Sequence, residues 1–214
     1  MSSASAILKR AVKLVPAYGF TREALALSAT ADSLSDGKTR LSDSAVSALF
    51  GPGDKATKAL VIAWMEEGCE DMKLAASGTG GVLGMEDVLS RRLRWNENVL
   101  PHLTDAFAVM ISSSTPFVPV LNFRPAFEHA FAIANEACYI AQPPPNIPSG
   151  WYTHRAVIAA IYAATELHQL TSPQSAHSFL QSLLFTSQQL GEVVSEMEPY
   201  GGFIIKGWAE MLKG

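Results

Sequence analysis

"SGWYTHRAVIAAIYAATELHQL", residues 149–170, decides the fold class. Its middle, "AVIAAIYAA" from Ala156 to Ala164, contains no breaker and no alternation of polar with apolar residues. Such a run predicts a helix that is apolar on every side and therefore central in a bundle. Five alanines in it let neighbouring helices approach closely, or leave volume between them. Polar chemistry is confined to the ends, where Trp151, Tyr152 and Arg155 open the helix.

Working outward, the same period recurs along the chain, and no alternating run with a hairpin turn signal interrupts it, which predicts an all-α protein. In "SASAILKRAVKLVPAYG" the residues Ile7, Leu8, Ala11, Leu14 and Val15 share one side, and Pro16 is expected to close that helix. Thr21 is placed to cap a second helix reaching Ala31, and Ser42 or Asp43 to cap a short third one that stops at Gly51-Pro52-Gly53. A longer helix is expected over 54–74, followed by a glycine-rich break. Others are expected at about 85–95, 97–113, 120–141, 151–170, 173–195 and 200–213. The four prolines of "QPPPNIPSG" separate the helix ending near 141 from the one starting at 151.

A chain of 214 residues with 48% hydrophobic content can bury a substantial single core. Its net charge of −4 leaves no global positive field to attract nucleic acid. Residues 1–60 nonetheless hold eight basic groups against five acidic ones, a local +3 that leaves −7 for the rest. Cys69 and Cys138 lie far apart in helical segments and suggest free thiols rather than a disulfide framework. The start "MSSASAILKR" does not read as a secretory signal, and no apolar run approaches the ~20 residues needed to cross a bilayer.

Catalytic and metal-binding patterns are sparse, and no enzyme, cofactor or metal is expected. Glu128-His129 and Glu166-Leu167-His168 have the wrong offsets to share a ligand face on one helix, and the five histidines include no i, i+4 pair. "GTGGVLG" follows a helix and lacks the lysine of a phosphate-binding loop. These polar groups are expected on the surface.

Two features rise above that background. Over the last residues, Phe203, Ile204, Ile205, Trp208, Met211 and Leu212 oppose Lys206, Glu210 and Lys213 on a helical wheel, behind the hinge Gly201-Gly202. A helix with so broad an aromatic-bearing face can dock on the core or lie in a membrane interface. The second feature is the apolar set around helix 151–170: Phe107, Met110, Phe127, Phe131, Tyr139, Ile158, Ile161, Tyr162, Phe179 and Leu183. These side chains are expected either to pack solidly or to line an elongated apolar cavity able to hold a lipid. Trp151, Tyr152 and Arg155, one turn apart at a helix start, match the composition of protein-interface hot spots.

"WYTHRAVIAAIYAATEL" also resembles the signature of the ubiquinone biosynthesis lipid-binding proteins, the ninth of the numbered coenzyme Q accessory proteins. Its pattern is Trp-Tyr-Thr-x-Arg followed by an alanine-rich helix ending Thr-Glu-Leu. "VPAYGFTREAL", "LFGPGD" and "RRLRWN" at 91–96 extend the likeness over almost the whole chain. His154 stands where a basic residue is common in that family, which makes the charge there pH-dependent.

The resemblance implies a TetR-like helical bundle with a C-terminal amphipathic helix. Residues 1–60 would form a three-helix, helix-turn-helix-like part, 61–197 a ligand-binding part and 198–214 a membrane-binding helix, in one compact unit. It further implies a homodimeric accessory protein, peripheral on the matrix side of the mitochondrial inner membrane. That protein would bind polyprenyl quinones or other isoprenoid lipids and present them to the di-iron demethoxyubiquinone hydroxylase through Trp151, Tyr152 and Arg155. The competing reading is a TetR-like transcription regulator binding DNA through residues 1–60. The long Ser/Asp-rich turn of "SLSDGKTRLSDSAVSALF" disfavours it, since only Lys38 and Arg40 are placed to reach phosphate.

Overall fold

The computed structural model describes residues 3–29, 40–78, 83–112, 122–142 and 151–189, and every regular element among them is helical. In chain order these are α1 (Ser3–Val12), α2 (Val15–Tyr18), α3 (Arg22–Ser28), α4 (Asp43–Phe50) and α5 (Asp54–Gly78). There follow α6 (Met85–Glu97), α7 (Leu100–Ile111), α8 (Arg124–Ala141) and α9 (Trp151–Thr171), a 3-10 turn at Pro173–Ser175, and α10, described over 176–189. The amphipathic helix expected over 198–214 lies outside the described residues.

Local chemistry explains most boundaries. Thr21 accepts a hydrogen bond from the Ala24 amide and Ser42 one from the Ala45 amide, so each satisfies a free donor at its helix start. At Gly51 the backbone has φ 95°, and a Cβ there would sit 2.9 Å from that of Lys55, so α4 stops where only glycine fits. Pro16 does not close the first helix. That helix ends at Val12, and Pro16 instead lies in the first turn of α2, where its missing N–H has no helical partner to lose. Asn98 and Val99 separate α6 from α7, so the helix expected from 97 begins at Leu100. Helix α5 runs on to Gly78, four residues beyond expectation.

Two cores are joined by α5. The first packs Leu25, Leu60, Trp64 and Leu103 from α3, α5 and α7, with the ring of Phe20 edge-on to Trp64 at 5.5 Å. The second packs Met72, Leu89, Leu93, Ile133, Tyr162 and Leu180 from α5, α6, α8, α9 and α10. Helix α5 passes uninterrupted through position 60 and supplies side chains to both. Asp71 grips Arg91 with two hydrogen bonds of 2.7 and 2.8 Å, fastening α5 to α6.

Helix α9 packs mainly on α8. It is not enclosed on all sides as its composition predicts: Ile158, Ala159, Ile161, Tyr162 and Thr165 are buried, whereas Ala156, Val157, Ala160, Ala164 and Leu167 are exposed. Alanine has little apolar surface to lose, so three of the exposed positions cost little. None of the described helices is long and apolar enough to cross a membrane.

Candidate functional site

Two cavities open along the seam between α5 and α8. One, of about 820 Å³, lies at the junction of α5, α7 and the start of α8; its buried lining consists of Met65, Met110 and His129. Lys58, Glu66, Glu70, Lys73, Glu128 and Glu136 contribute charge around it. The other, of about 870 Å³, lies toward the far end of α8 and is lined by Ala76, Tyr139, Ile140, Trp151 and Arg155 among others. Lys73, Asn135 and Glu136 line both, which makes the two cavities neighbouring stretches of one groove. Each volume falls in the range of roughly 300–1,000 Å³ typical of small-molecule sites.

At the second end, α9 begins with Trp151, which is 57% exposed, and Tyr152, more exposed still. Their rings meet edge to face at 4.6 Å. One turn on, the Arg155 guanidinium lies 3.5 Å from the Trp151 ring centroid, and its Nε donates to Asn135 Oδ1 at 2.9 Å. The cation–π contact and the Asn135 bond hold this aromatic pair at the groove's mouth. His154 is held below the ordinary imidazole value, first by burial and then by the charge of Arg155. It is therefore neutral near neutral pH, and the titrating charge expected at this position is absent there.

Behind the first cavity lies a buried polar cluster. Glu166 Oε1 accepts from the Tyr162 hydroxyl at 2.7 Å and from Asn96 Nδ2 at 3.0 Å, and His129 Nε2 is 3.4 Å away. Asn96 Nδ2 also reaches Gln169 Oε1 at 3.1 Å, and Gln169 Nε2 donates to the Leu93 carbonyl at 2.9 Å. Arg92 Nη1 donates to Asn96 Oδ1, while Arg92 Nε and Nη2 are buried without partners. Burial alone would raise the Glu166 carboxyl, but the charge and hydrogen bond of His129, the charge of Arg92 and the Tyr162 hydroxyl together hold it down at about 2. The same burial, countered by Arg92 and reinforced by Glu166, pushes the Tyr162 hydroxyl well above its ordinary value. Because Glu166 is ionised and can only accept, His129 Nε2 must carry its hydrogen.

The ten side chains expected to line one interior cavity are not gathered around a single space. Ile158, Ile161 and Tyr162 are packed in the second core, with Leu183 against it, and Phe107 lies against the first. Met110 reaches the first cavity and Tyr139 the second. Phe127 and Phe131 stand exposed on α8 in line with Phe123, and Tyr139 is 76% exposed. Phe179 stacks on His168 at 4.4 Å. The physical reason is that α8 turns its Ala130, Ile133, Ala134 and Ala137 face inward, so the aromatic stripe at i, i+4, i+8 points out. Phe203, Ile204, Ile205, Trp208, Met211 and Leu212 fall outside the described residues.

His129 and Glu166, expected on the surface, are both buried. Each fails the ligand spacing on its own helix, yet α8 and α9 bring them together across their interface. A signal did exist: Tyr162, Glu166 and Gln169 recur at i, i+4 and i+7 on the face that carries Ile158 and Thr165, and Arg92 and Asn96 are spaced i, i+4. Polar residues on an apolar stripe imply a buried network. Burial raises the thiols of Cys69 and Cys138, consistent with unreactive free cysteines.

The fold and this groove define an all-α protein with an amphiphilic cleft and, among the described residues, no group of His, Cys, Asp and Glu able to hold a metal ion. Residues 123–194, which carry α8, α9 and the described part of α10, match the COQ9 family model. Over this stretch the chain is similar to COQ9 proteins, and two curated relatives extend the likeness.

Over 126 residues it is 27% identical to the ubiquinone biosynthesis protein coq9, mitochondrial, of Schizosaccharomyces pombe, a match covering 57% of this chain and 47% of that protein. Over 218 residues it is 24% identical to the ubiquinone biosynthesis protein COQ9, mitochondrial, of Bos taurus, covering 94% of this chain and 62% of that one. The chain thus spans about half to three-fifths of the length of these curated relatives.

Proposed function

We propose that this chain is a lipid-binding accessory protein of ubiquinone biosynthesis. On this reading it binds polyprenyl quinone intermediates and presents them to the di-iron demethoxyubiquinone hydroxylase. It works as a homodimer, peripheral on the matrix side of the mitochondrial inner membrane, without catalysing a reaction itself. Residues 61–197 handle lipid and partner, and residues 198–214 lie on the bilayer with Trp208 at headgroup depth.

One observation carries the reading: Lys73, Asn135 and Glu136 line both the methionine-floored cavity and the cavity bounded by Trp151 and Arg155. A lipid lodged at one end is thereby next to the aromatic-cation pair that suits a protein partner. The relatives' printed role in ubiquinone biosynthesis supplies the chemistry: a ring with an isoprenoid tail is almost insoluble, and burying that tail returns ~25 cal/mol per Å² of apolar area.

The test has three arms. Mass spectrometry of organic extracts of the purified chain should find prenylated ring lipids, and extracts holding only bulk phospholipid would reject the carrier role. Trp151→Ala with Tyr152→Ala should abolish capture of the hydroxylase while leaving the lipid bound. Truncation after residue 197 should reduce co-sedimentation with vesicles containing anionic lipid, and equal pelleting of both forms would remove the membrane assignment.

The regulator reading is not favoured. Arg40, one of the two cations offered to DNA, is 3.4 Å from Glu23, and both relatives are named for ubiquinone biosynthesis.

A further inference from the structure

The α5–α7–α8 cavity has a buried lining of unusual composition: two methionine side chains, Met65 and Met110, and one imidazole, His129. Every other polar or charged side chain around it is at least partly exposed to water. Among the described residues, His129 is therefore the one buried polar side chain on the cavity floor.

The ring is firmly placed. Its Nε2 is turned to Glu166, and Tyr162 and Phe107 stand around it with ring centroids at 6.2 and 6.4 Å. With Nε2–H committed to an ionised carboxylate, Nδ1 is the nitrogen left for the cavity. Glu166 is itself fixed by Tyr162 and Asn96, so the imidazole cannot swing away without breaking a buried network. Methionine sulfur contacts aromatic ring edges favourably and adapts to irregular shapes. A floor of two thioethers with one oriented nitrogen suits a flat ring carrying an oxygen.

We propose that His129 anchors the head of the ligand: the cavity takes a six-membered ring bearing a hydroxyl, which donates a hydrogen bond to His129 Nδ1 while the ring lies against Met65 and Met110. The tail then leaves along the groove past Lys73, Asn135 and Glu136 toward Trp151. This assignment rests on the lipid-carrier reading and adds the end of the groove at which the head sits.

Two probes test it with the full-length chain. They are a phenol carrying a two-isoprene tail and an isoprenoid hydrocarbon of equal carbon count without a ring oxygen. Binding is read by calorimetry, and the His129 ring nitrogens by long-range nitrogen–proton NMR. The phenol should bind and shift the Nδ1 resonance. Loss of one hydrogen bond in His129→Phe should weaken phenol binding by about tenfold and leave hydrocarbon binding in place. His129→Gln, which keeps an acceptor, should recover part of the loss.

Equal phenol affinity in His129→Phe, or an Nδ1 resonance unmoved at saturation, would overturn this assignment and leave the carrier reading standing. Failure of both probes to bind the wild-type chain would overturn the carrier reading together with it. Should His129→Phe not fold, the wild-type resonance decides by itself.

Discussion

The Arg92 guanidinium lies over the indole of Trp64, 4.8 Å from the ring centroid, in the interior between α5 and α6. The cation is met by that ring, by Asn96 and by the field of Glu166, and two of its nitrogens have no hydrogen-bond acceptor. Removing one partner of a buried charge pair strands the other, so Arg92→Ala should destabilise the chain by ~3–5 kcal/mol. Arg92→Lys should fall well short of the wild type, because a compact ammonium neither spreads its charge over the Trp64 ring nor reproduces the Nη1 bond to Asn96. Glu166→Gln in the Arg92→Ala background should restore part of the loss by removing the stranded carboxylate. Urea unfolding of the four proteins checks this, and a wild-type midpoint for Arg92→Ala would contradict it.

Gly68 sits in mid-helix, where alanine ordinarily adds up to ~1 kcal/mol. Here a Cβ would stand 3.1 Å from Arg92 Cζ and Nε and from Trp95 Cδ1. Arg92 is fully buried over Trp64. Gly68→Ala should therefore lower stability by ~1–3 kcal/mol, the usual cost of overpacking. A thermal midpoint above that of the wild type would show that the guanidinium has room to move.

Glu166 makes stability depend on acid in a defined window. Its carboxyl titrates at about 2 in the folded chain against an ordinary 4.5. Between those values the unfolded chain binds the proton more readily, so the carboxylate's contribution is complete above pH 4.5 and drains away as pH falls toward 2. The shift corresponds to a contribution of ~3 kcal/mol at most. Glu166→Gln should flatten this limb of the curve while lowering stability at pH 7. Denaturant melts at pH 7, 4.5 and 3 are the measurement, and parallel pH dependence in both proteins would assign the acid sensitivity to other carboxyls.

The Trp151–Arg155 contact is exposed and should contribute little to folding, about 0.5–1 kcal/mol. Arg155→Ala should leave the melting curve nearly unchanged yet loosen the Trp151 ring and weaken hydroxylase capture. A double-mutant cycle of Trp151→Ala and Arg155→Ala, read once in stability and once in capture, separates the two effects. Strict additivity in capture would show that the two side chains act independently.

Much of the helix layout was legible before any coordinates. The caps at Thr21 and Ser42, the stop at Gly51 and the start at Trp151 each follow from chemistry within a few residues. The pairing of Trp151 with Arg155 was equally legible, since i and i+4 on a helix are neighbours by geometry. Helix faces were read less well. Ala156, Ala160 and Ala164 signalled a central helix because alanine counts as apolar, although its small surface lets it face water at little cost. Phe127 and Phe131 signalled a lining for the opposite reason: large rings are expected inside, and only the packing of Ala130, Ala134 and Ala137 against α9 turns them out.

By itself, then, the order of residues determined what depends on contacts between near neighbours: an all-α chain, its caps and breaks, and the aromatic-cation pair at residues 151–155. Tertiary structure alone decided that His129 meets Glu166 across 37 positions, that Asn96 meets it across 70, and that the two cavities share three side chains. These contacts are set by which face α8 offers to α5 and α9, a choice made by the summed burial of many side chains rather than by any local spacing.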